Sequence, residues 1–284
     1  MLKVDNLFFD QERSLYNLTD AEVYNCNFWG PQDGESALKE ARNIYVNQCQ
    51  FSLRYPLWHN ETLFINRSHF HKDARAPLWY CSDVNIYETS INSVKTLREC
   101  EDIYIYRSNI ISEEFAWRCS DLVLEQSTVE GFYAFFESKN IELNECVFKG
   151  KYSFQYVNNA EIINSDLDTK DAFWHSNNVT VKNSIVKGEY LGWYSNNLTF
   201  INCVIIGTQP LCYCKNLKLI NCEMVDCDLA FEYSDIEADI KGNIKSIKNP
   251  SSGKISCQNV GEIILENAVF STNCEIEIRD NLDK

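Results

Sequence analysis

Three segments of the chain align without gaps at a spacing of 19 residues: Asn178-Val-Thr-Val-Lys-Asn-Ser184, Asn197-Leu-Thr-Phe-Ile-Asn-Cys203 and Asn216-Leu-Lys-Leu-Ile-Asn-Cys222. With the leading Asn as position 0, the same frame gives further starts at residues 83, 102, 121, 140, 159 and 235. Upstream starts fall at 20, 43 and 62, with four extra residues in the first repeat and two in the third. A fixed period near 20 residues is typical of solenoids, so this repeat decides the fold.

Several positions of the repeat keep one chemical character. Position 0 is Asp or Asn apart from Thr62, positions 1 and 3 are aliphatic almost throughout, and position 6 is Cys, Ser or Thr apart from Lys241. Alternation over short runs is typical of β-strands, and nothing matches the spacing of an amphipathic helix. Because a unit of short strands cannot bury its own apolar side, consecutive units must stack at the inter-strand spacing of about 4.8 Å.

The sequence therefore predicts an all-β fold, a single-stranded right-handed parallel β-helix (a solenoid) of about 12 rungs with irregular terminal caps. Asx at position 0 suits a turn, stacked Asn side chains can form amide ladders, and Gly at position 10 suits a second turn. A leucine-rich repeat and a β-propeller fit the period less well. We expect one domain, with a cap and partial rung over 1–19, repeats over 20–254 and cap strands over 255–284.

Composition limits the classes of function. The chain has 284 residues and a formal net charge of −15, which disfavours a nucleic-acid partner. No window approaches 18 apolar residues and the start lacks a secretory pattern, so we expect no membrane span and a cytoplasmic protein.

Nine of the 13 cysteines fall at positions 6 and 17. Because Ser shares these columns, we expect the thiols to be packed rather than to bind a metal or cofactor.

Aromatic residues form the most informative column. Position 14 is mostly apolar, so it should face the core, while the neighbouring position 15 should face solvent. Exposed rings in a row can stack on the C–H faces of sugars, which predicts a ligand-binding face. The alternative is that the row packs under a loop, a partner subunit or the core. Five of the six tryptophans occupy position 15: Trp58, Trp79, Trp117, Trp174 and Trp193.

Basic side chains flank the early part of this column. They could together hold an anionic group such as a uronate or a phosphate, although a solvated basic patch would have the same pattern. The predicted ligand-binding members are Arg54, Arg75, Lys95 and Arg98, followed by Arg118 on the next rung.

Acidic residues lie beside the later tryptophans. Asp171 and Glu189 fall on adjacent rungs, so their backbones should be about one rung apart. Two carboxylates at such a spacing could carry out glycoside chemistry. The candidate catalytic residues are therefore Asp171, His175 and Glu189. No glycine-rich phosphate loop supports an enzyme acting on sugar nucleotides.

Several blocks carry a resemblance over about residues 5–255: Gly34–Asn43, Ala74–Tyr80, Lys170–Trp174, Gly188–Ser195, Gly207–Tyr213 and Ala230–Ser234. They resemble an uncharacterised bacterial family of the pectin-lyase-like right-handed β-helix superfamily. The resemblance implies the fold and supplies no catalytic residues. The superfamily includes polysaccharide lyases, hydrolases and esterases, but the polygalacturonase-like pattern of Asn-Thr-Asp, Asp-Asp, Gly-His-Gly and Arg-Ile-Lys is absent.

Two functions of different classes stay open. The first is binding or modifying an oligosaccharide or sugar conjugate along the aromatic face, with glycoside hydrolase or polysaccharide lyase chemistry if the protein is an enzyme. The second is a non-catalytic scaffold or oligomerisation module, whose aromatic face docks a protein or another copy of the chain.

Overall fold

A computed structural model describes residues 1–30 and 34–279. This part of the chain contains β-strands joined by turns and no helix, so it has no helix that could cross a membrane. Contacts divide the chain into two compact units, Met1–Val147 and Phe148–Lys284, which we call the N-terminal unit and the C-terminal unit.

The N-terminal unit is a parallel β-solenoid in which strands from consecutive turns pair in register. Its strands are β1 (Leu2–Asp5), β2 (Phe8–Phe9), β3 (Thr19–Tyr24), β4 (Asn27–Phe28), β5 (Arg42–Asn47), β6 (Gln50–Phe51), β7 (Leu57–Trp58), β8 (Glu61–Asn66), β9 (His69–Phe70), β10 (Leu78–Trp79), β11 (Ser82–Tyr87), β12 (Ser90–Asn92), β13 (Glu101–Tyr106), β14 (Asn109–Ile111), β15 (Ser120–Glu125), β16 (Thr128–Phe132) and β17 (Lys139–Asn144). Strand β18 (Val147–Lys151) begins at the last residue of this unit.

The C-terminal unit has the same parallel architecture. Its strands are β19 (Asn158–Ile163), β20 (Asp166–Lys170), β21 (Asn177–Lys182), β22 (Ile185–Lys187), β23 (Asn196–Ile201), β24 (Val204–Ile206), β25 (Leu217–Val225), β26 (Asp235–Lys241), β27 (Asn243–Lys248), β28 (Ser252–Cys257), β29 (Asn259–Ile264) and β30 (Glu275–Ile278).

The strand register confirms the repeat frame, including both insertions. Val179 pairs with Leu198, at the 19-residue spacing. Ala21 pairs with Ile44, which accommodates four extra residues, and Leu63 pairs with Val84, which accommodates two. The insertions therefore leave the pairing of the main strands intact.

Within the described residues the solenoid has about 14 turns, compared with the predicted 12 or so. Strand β1 pairs in parallel with β3, and β28 pairs in parallel with β26, so regular pairing extends further at both ends. At the C-terminal end Asp235 pairs with Ser252, a spacing of 17 residues. A search at fixed period misses this shorter turn. The boundaries of caps and repeats stay predictions, and residues 280–284 of the expected C-terminal cap lie outside the described part.

Each turn bends at residues in the left-handed region of φ. The left-handed conformation expected at position 0 is confirmed, since Asn178 has a φ of 55°, but this residue lies inside β21 rather than in a turn. Position 5 behaves in the same way at Asn183, and positions 12 and 16 do so at Tyr190 and Tyr194. Asn tolerates this conformation better than most residues, whereas Tyr adopts it at a cost that the paired strands must offset.

Glycine at position 10 permits close packing of neighbouring turns, and Gly207, with a φ of 129°, also begins a bend where the second turn was predicted. Gly131 lies inside β16, and a Cβ there would collide with the carbonyl oxygen of Ser112 on the preceding turn. The missing side chain is what lets these two backbones approach.

The core consists of stacked apolar columns. Position 14 is fully buried at Leu38, Leu57 and Leu78, as predicted. At position 8 the buried ring of Phe51 stacks on Phe28 and Phe70, with centroids 4.8 and 4.6 Å apart. Full burial of such side chains contributes about 1.5–3 kcal/mol each.

Position 6 forms a hydrogen-bond ladder, a role beyond the packing expected from the sequence. The backbone N–H of Thr89 donates to Ser108 Oγ at 3.1 Å, and Ser108 N–H donates to Ser127 Oγ at 3.0 Å. The Ser108 hydroxyl in turn donates to the Tyr106 carbonyl at 3.0 Å. Cysteine can take this place, because Cys26 N–H lies 3.4 Å from Cys49 Sγ. The column therefore requires a small side chain that both donates and accepts.

We predict that Ser108→Ala lowers the free energy of unfolding by about 1–3 kcal/mol, because the buried Thr89 N–H loses its acceptor. Ser108→Cys should cost less than half as much, since sulfur preserves the ladder. Urea denaturation of both variants and the unchanged protein tests this. Equal losses in the two variants would contradict the ladder.

Candidate functional site

In the N-terminal unit, position 15 is a continuous stack of half-buried side chains. Trp58 lies edge-on to Trp79, with ring centroids 5.1 Å apart. The Arg98 guanidinium lies 5.4 Å from the Trp79 ring centroid and 4.4 Å from that of Trp117. Trp117 then contacts Phe136 at 5.0 Å. The ring faces in this Trp–Arg stack are therefore largely covered by neighbouring side chains.

Indole N–H groups of the Trp–Arg stack are directed at the protein's own backbone. Trp58 Nε1 donates to the Ala76 carbonyl at 2.7 Å, and Trp117 Nε1 donates to the Tyr133 carbonyl at 2.5 Å. Trp79 Nε1 is buried and finds no acceptor within the described residues. Two of the three indole N–H groups that could have bound a ligand therefore already donate to backbone carbonyls.

The four predicted basic residues divide into two groups. Arg98 and Lys95 both pair with Glu114, the Lys95 Nζ at 3.8 Å. Burial lowers the pKa of Arg98 from its ordinary value. Arg98 is therefore part of the Trp–Arg stack, and both cations have Glu114 as their counter-ion.

The other two basic residues line a cleft. Arg54 and Arg75 border a volume of about 600 Å³ together with Lys72, Asp73 and Trp29. Arg54 Nε lies 2.6 Å from Glu35. Trp29 is 46% exposed and meets the edge of His71 at 4.8 Å. We call this the basic cleft.

In the C-terminal unit, Trp174 and Trp193 stack face to face. Their centroids are 5.5 Å apart with an interplanar angle of 8°. Trp174 Nε1 donates to the Tyr190 carbonyl at 2.6 Å, and Trp193 Nε1 donates to the Gln209 carbonyl at 2.8 Å. The face of each ring that meets its neighbour is closed to ligand.

Asp171 and Glu189 lie on adjacent turns, as expected, since Asp171 N–H donates to the Glu189 carbonyl at 2.9 Å. Their environments differ sharply. Asp171 is only 6% exposed, and burial raises its pKa. Glu189 is exposed and lies 2.7 Å from Lys170 Nζ, which raises the pKa of that lysine. The pair thus combines a buried carboxyl with a surface ion pair, an arrangement that gives substrate little access to Asp171.

His175 belongs to a ring stack that the sequence reasoning missed. Its ring lies between those of Tyr156 and Tyr194, with centroids 4.9 and 5.1 Å away, and is nearly parallel to both. Tyr194 stacks on Tyr213 at 4.7 Å. Tyr213 contacts Tyr233, which contacts Phe270. The tyrosine strip comprises Tyr156, His175, Tyr194, Tyr213, Tyr233 and Phe270.

A sequence signal for the tyrosine strip existed. His175, Tyr194 and Tyr213 each directly follow a position-15 residue, at one 19-residue interval after another. They occupy position 16, one place beyond the column of tryptophans. Position 16 is left-handed in the structure, so it also directs its side chain outward, beside position 15.

An asparagine ladder flanks the tyrosine strip along the chain. Asn178 Nδ2 donates to Asn159 Oδ1 at 3.1 Å, and Asn197 donates to Asn178 at 2.8 Å. Asn216 donates to Asn197 at 2.7 Å, which confirms the expected amide ladder at position 0. The strip therefore lies next to a neutral polar surface.

All 13 cysteines lie in the described residues, none of them forms a disulfide, and only Cys274 is not buried. Burial raises the pKa of Cys214 and of Cys227 to about 12, so these thiols stay protonated at neutral pH. In residues 1–30 and 34–279 no group of three His, Cys, Asp or Glu side chains could hold a metal ion.

These features define a parallel β-solenoid protein with self-stacked aromatic columns on its surface. The chain belongs to the family described as "Protein of unknown function (DUF3737)", whose family model matches residues 2–278. A comparison with curated proteins finds no significant match.

Some solved structures are similar at low identity. HetL, a pentapeptide repeat protein involved in heterocyst differentiation in a Nostoc cyanobacterium, is 12% identical over 79% of this chain and 92% of its own, with a TM-score of 0.25. A point mutant of the periplasmic alginate epimerase AlgG is 9% identical over 98% and 74%, with a TM-score of 0.26. The plasmid-mediated fluoroquinolone resistance protein QnrB1 is 11% identical over 78% and 92%, with a TM-score of 0.18. Similarities this low carry no argument on function.

We predict that Asp171→Asn stabilises the protein at pH 7. A carboxyl whose folded pKa is raised favours folding below its unfolded pKa, and this contribution is lost as the pH rises through the folded value. Its charged neighbours are Lys170, Glu189 and Lys151. Asn also suits the φ of 55° at this residue. Thermal unfolding should show a melting temperature higher by about 1–3 °C at pH 7, with the gain vanishing near pH 3.

Asp168→Asn is the matched control, because Asp168 lies on β20, which ends one residue before Asp171, but is exposed and 3.2 Å from Lys187. It should give no gain at any pH. A lower melting temperature for Asp171→Asn at pH 7 would contradict the prediction, since it would mean that the charged carboxylate is stabilising.

Proposed function

We propose that this protein is a non-catalytic docking scaffold that binds a protein partner on the tyrosine strip of the C-terminal unit. The observation that carries the proposal is the strip itself. Five rings from successive turns contact one another in series and Phe270 contacts the last of them, and Tyr156, Tyr194 and Phe270 are 49%, 43% and 64% exposed. A fixed, exposed aromatic surface of this kind is typical of protein interaction sites.

Stacking within the column favours a protein partner over a sugar. Sugars bind aromatic residues by placing C–H groups on a ring face. His175 has Tyr156 on one face and Tyr194 on the other, and Trp174 and Trp193 cover each other. What remains open is a row of ring edges and hydroxyl groups. A protein surface can use such edges through apolar contact and hydrogen bonds, and tyrosine binds at low entropic cost.

Charge favours a partner whose contact surface is neutral or basic. The whole chain carries a net charge of −15, whereas the asparagine ladder beside the strip is uncharged. Long-range attraction would thus speed the encounter with a basic partner, while the contact itself depends on aromatic groups. Cytoplasmic location and kinship with the pectin-lyase-like superfamily are part of this proposal and rest on the sequence.

The first test replaces two strip residues, Tyr194→Ser with Tyr213→Ser. Proteins retained from a cell lysate by the unchanged chain but not by this variant are purified and titrated against both. We expect the purified partner to bind the variant at least about tenfold more weakly, because central aromatic contacts dominate interface energies.

A matched control is Ile185→Ser with Ile220→Ser. These residues are 43% and 47% exposed in the same unit and lie away from the strip. The control should bind the partner like the unchanged chain. Equal weakening in both variants, or no direct binding by the purified partner, would overturn the proposal.

A second candidate function is supported by a separate observation, the basic cleft of the N-terminal unit. Lys72 and Arg75 offer cations, Arg54 borders the same cleft while paired with Glu35, and the exposed Trp29 offers a ring next to them. Guanidinium groups bind carboxylate and phosphate in a bidentate manner, and an adjacent ring can hold the sugar that carries them. The ligand that suits this cleft is an anionic saccharide.

Calorimetric titration tests this second candidate with three probes: a uronic acid tetrasaccharide, a hexose phosphate and a neutral tetrasaccharide. We expect one of the two anionic probes to bind and Arg75→Ala to weaken that binding at least about tenfold, whereas Arg107→Ala, an exposed arginine outside the cleft, should not. The anionic probe that binds identifies the anion as uronate or phosphate. Binding of neither anionic probe, or equal binding of the neutral one, would exclude this function.

A further inference from the structure

Strand β1 presents one unpaired edge. Leu2–Asp5 pairs in parallel with Ala21–Tyr24 of β3, and within residues 1–30 and 34–279 no second strand pairs with it. The inner strands of the same unit, such as β11, are paired on both sides. An open strand edge offers unsatisfied N–H and C=O groups that can pair with another chain.

Apolar side chains accompany this edge. Leu2 is 58% exposed, and Phe8 of strand β2 is 61% exposed. Leu7, between the two strands, is also exposed. Exposed apolar side chains beside an unpaired strand edge indicate a surface that is covered by a partner.

When two copies of β1 run antiparallel, the charges of one strand are complementary to those of the other. Lys3 and Asp5 are two residues apart and exposed, so they lie on the same outer face, while Val4 between them faces the core. If two copies pair antiparallel about Val4, Lys3 of each copy lies opposite Asp5 of the other. Opposite charges directly across an antiparallel pair are stabilising. A parallel arrangement in register would instead place Lys3 opposite Lys3.

We infer that β1 is the contact of a two-fold symmetric homodimer, in which the β1 strands of two copies pair antiparallel about Val4. A two-fold axis makes the contact isologous and closed, so it stops at two copies. The occupant of the edge is thus a second copy of this chain. This contact is distinct from the tyrosine strip, and either can fail without the other.

The existing partner of Lys3 does not block this pairing. Lys3 Nζ lies 3.7 Å from Glu22, with the two side chains 77% and 43% exposed. Such exposed pairs are weak, and Lys3 is free to reorient. Because the edge is only four residues long, we expect association in the micromolar range rather than a permanent dimer.

A charge swap tests both the dimer and its direction. Sedimentation equilibrium of the full chain should show a monomer–dimer equilibrium. Lys3→Glu and Asp5→Lys should each weaken dimerisation at least about tenfold, because each places like charges opposite each other twice. The double variant, Lys3→Glu with Asp5→Lys, should restore the dissociation constant to within about threefold.

Two controls separate this effect from others. Glu22→Gln removes the internal partner of Lys3 and should leave dimerisation unchanged. Lys187→Glu makes the same charge change on β22, which is paired on both sides, and should also have no effect. Melting temperatures verify that each variant is folded. A monomer at all concentrations, species larger than a dimer, or a double variant as weak as the single ones would overturn the inference.

Discussion

Hydrogen bonding between consecutive turns in fixed register is the constraint on which the whole structure depends. It places each residue beside the residue of the same position in the next turn, as with Val179 and Leu198. Side chains at equivalent positions of consecutive turns are therefore in contact, and they form columns along the solenoid. An apolar column such as Phe28, Phe51 and Phe70 makes a core of stacked rings. The same rule decides which polar residues a column can contain.

A buried polar column is stable only if each member satisfies its neighbour. Ser, Thr and Cys meet this condition because each accepts from the backbone of the preceding turn and donates to its own chain, as Ser108 does. This explains why thiols and hydroxyls share one position, where burial raises the pKa of Cys146 to about 11. On the surface, the rule gives amide ladders and ring stacks, whose members largely cover one another's faces.

Much of the fold was predictable because period and column chemistry are properties of the sequence alone. They gave the register, including the pairing of Ala21 with Ile44 across four extra residues. The shorter turn before Ser252 broke the period and was missed. The candidate site was less predictable. The 19-residue register places Arg98 between Trp79 and Trp117. Whether such side chains leave their ring faces open or cover one another, as around His175, depends on side-chain conformation, which a linear pattern does not show.

Repetition supports the proposal that this surface binds a partner rather than carrying out catalysis. Acid–base chemistry needs two unlike groups that converge on one accessible point. A column instead multiplies one group along a line, and where acidic and basic residues of adjacent turns meet, they neutralise each other. Glu189 pairs with Lys170, and Asp171 beside them is buried. In the C-terminal unit the group that repeats from turn to turn is the edge of an aromatic ring. A row of equivalent edges at strand spacing gains contact area with every turn, which is what a docking surface requires.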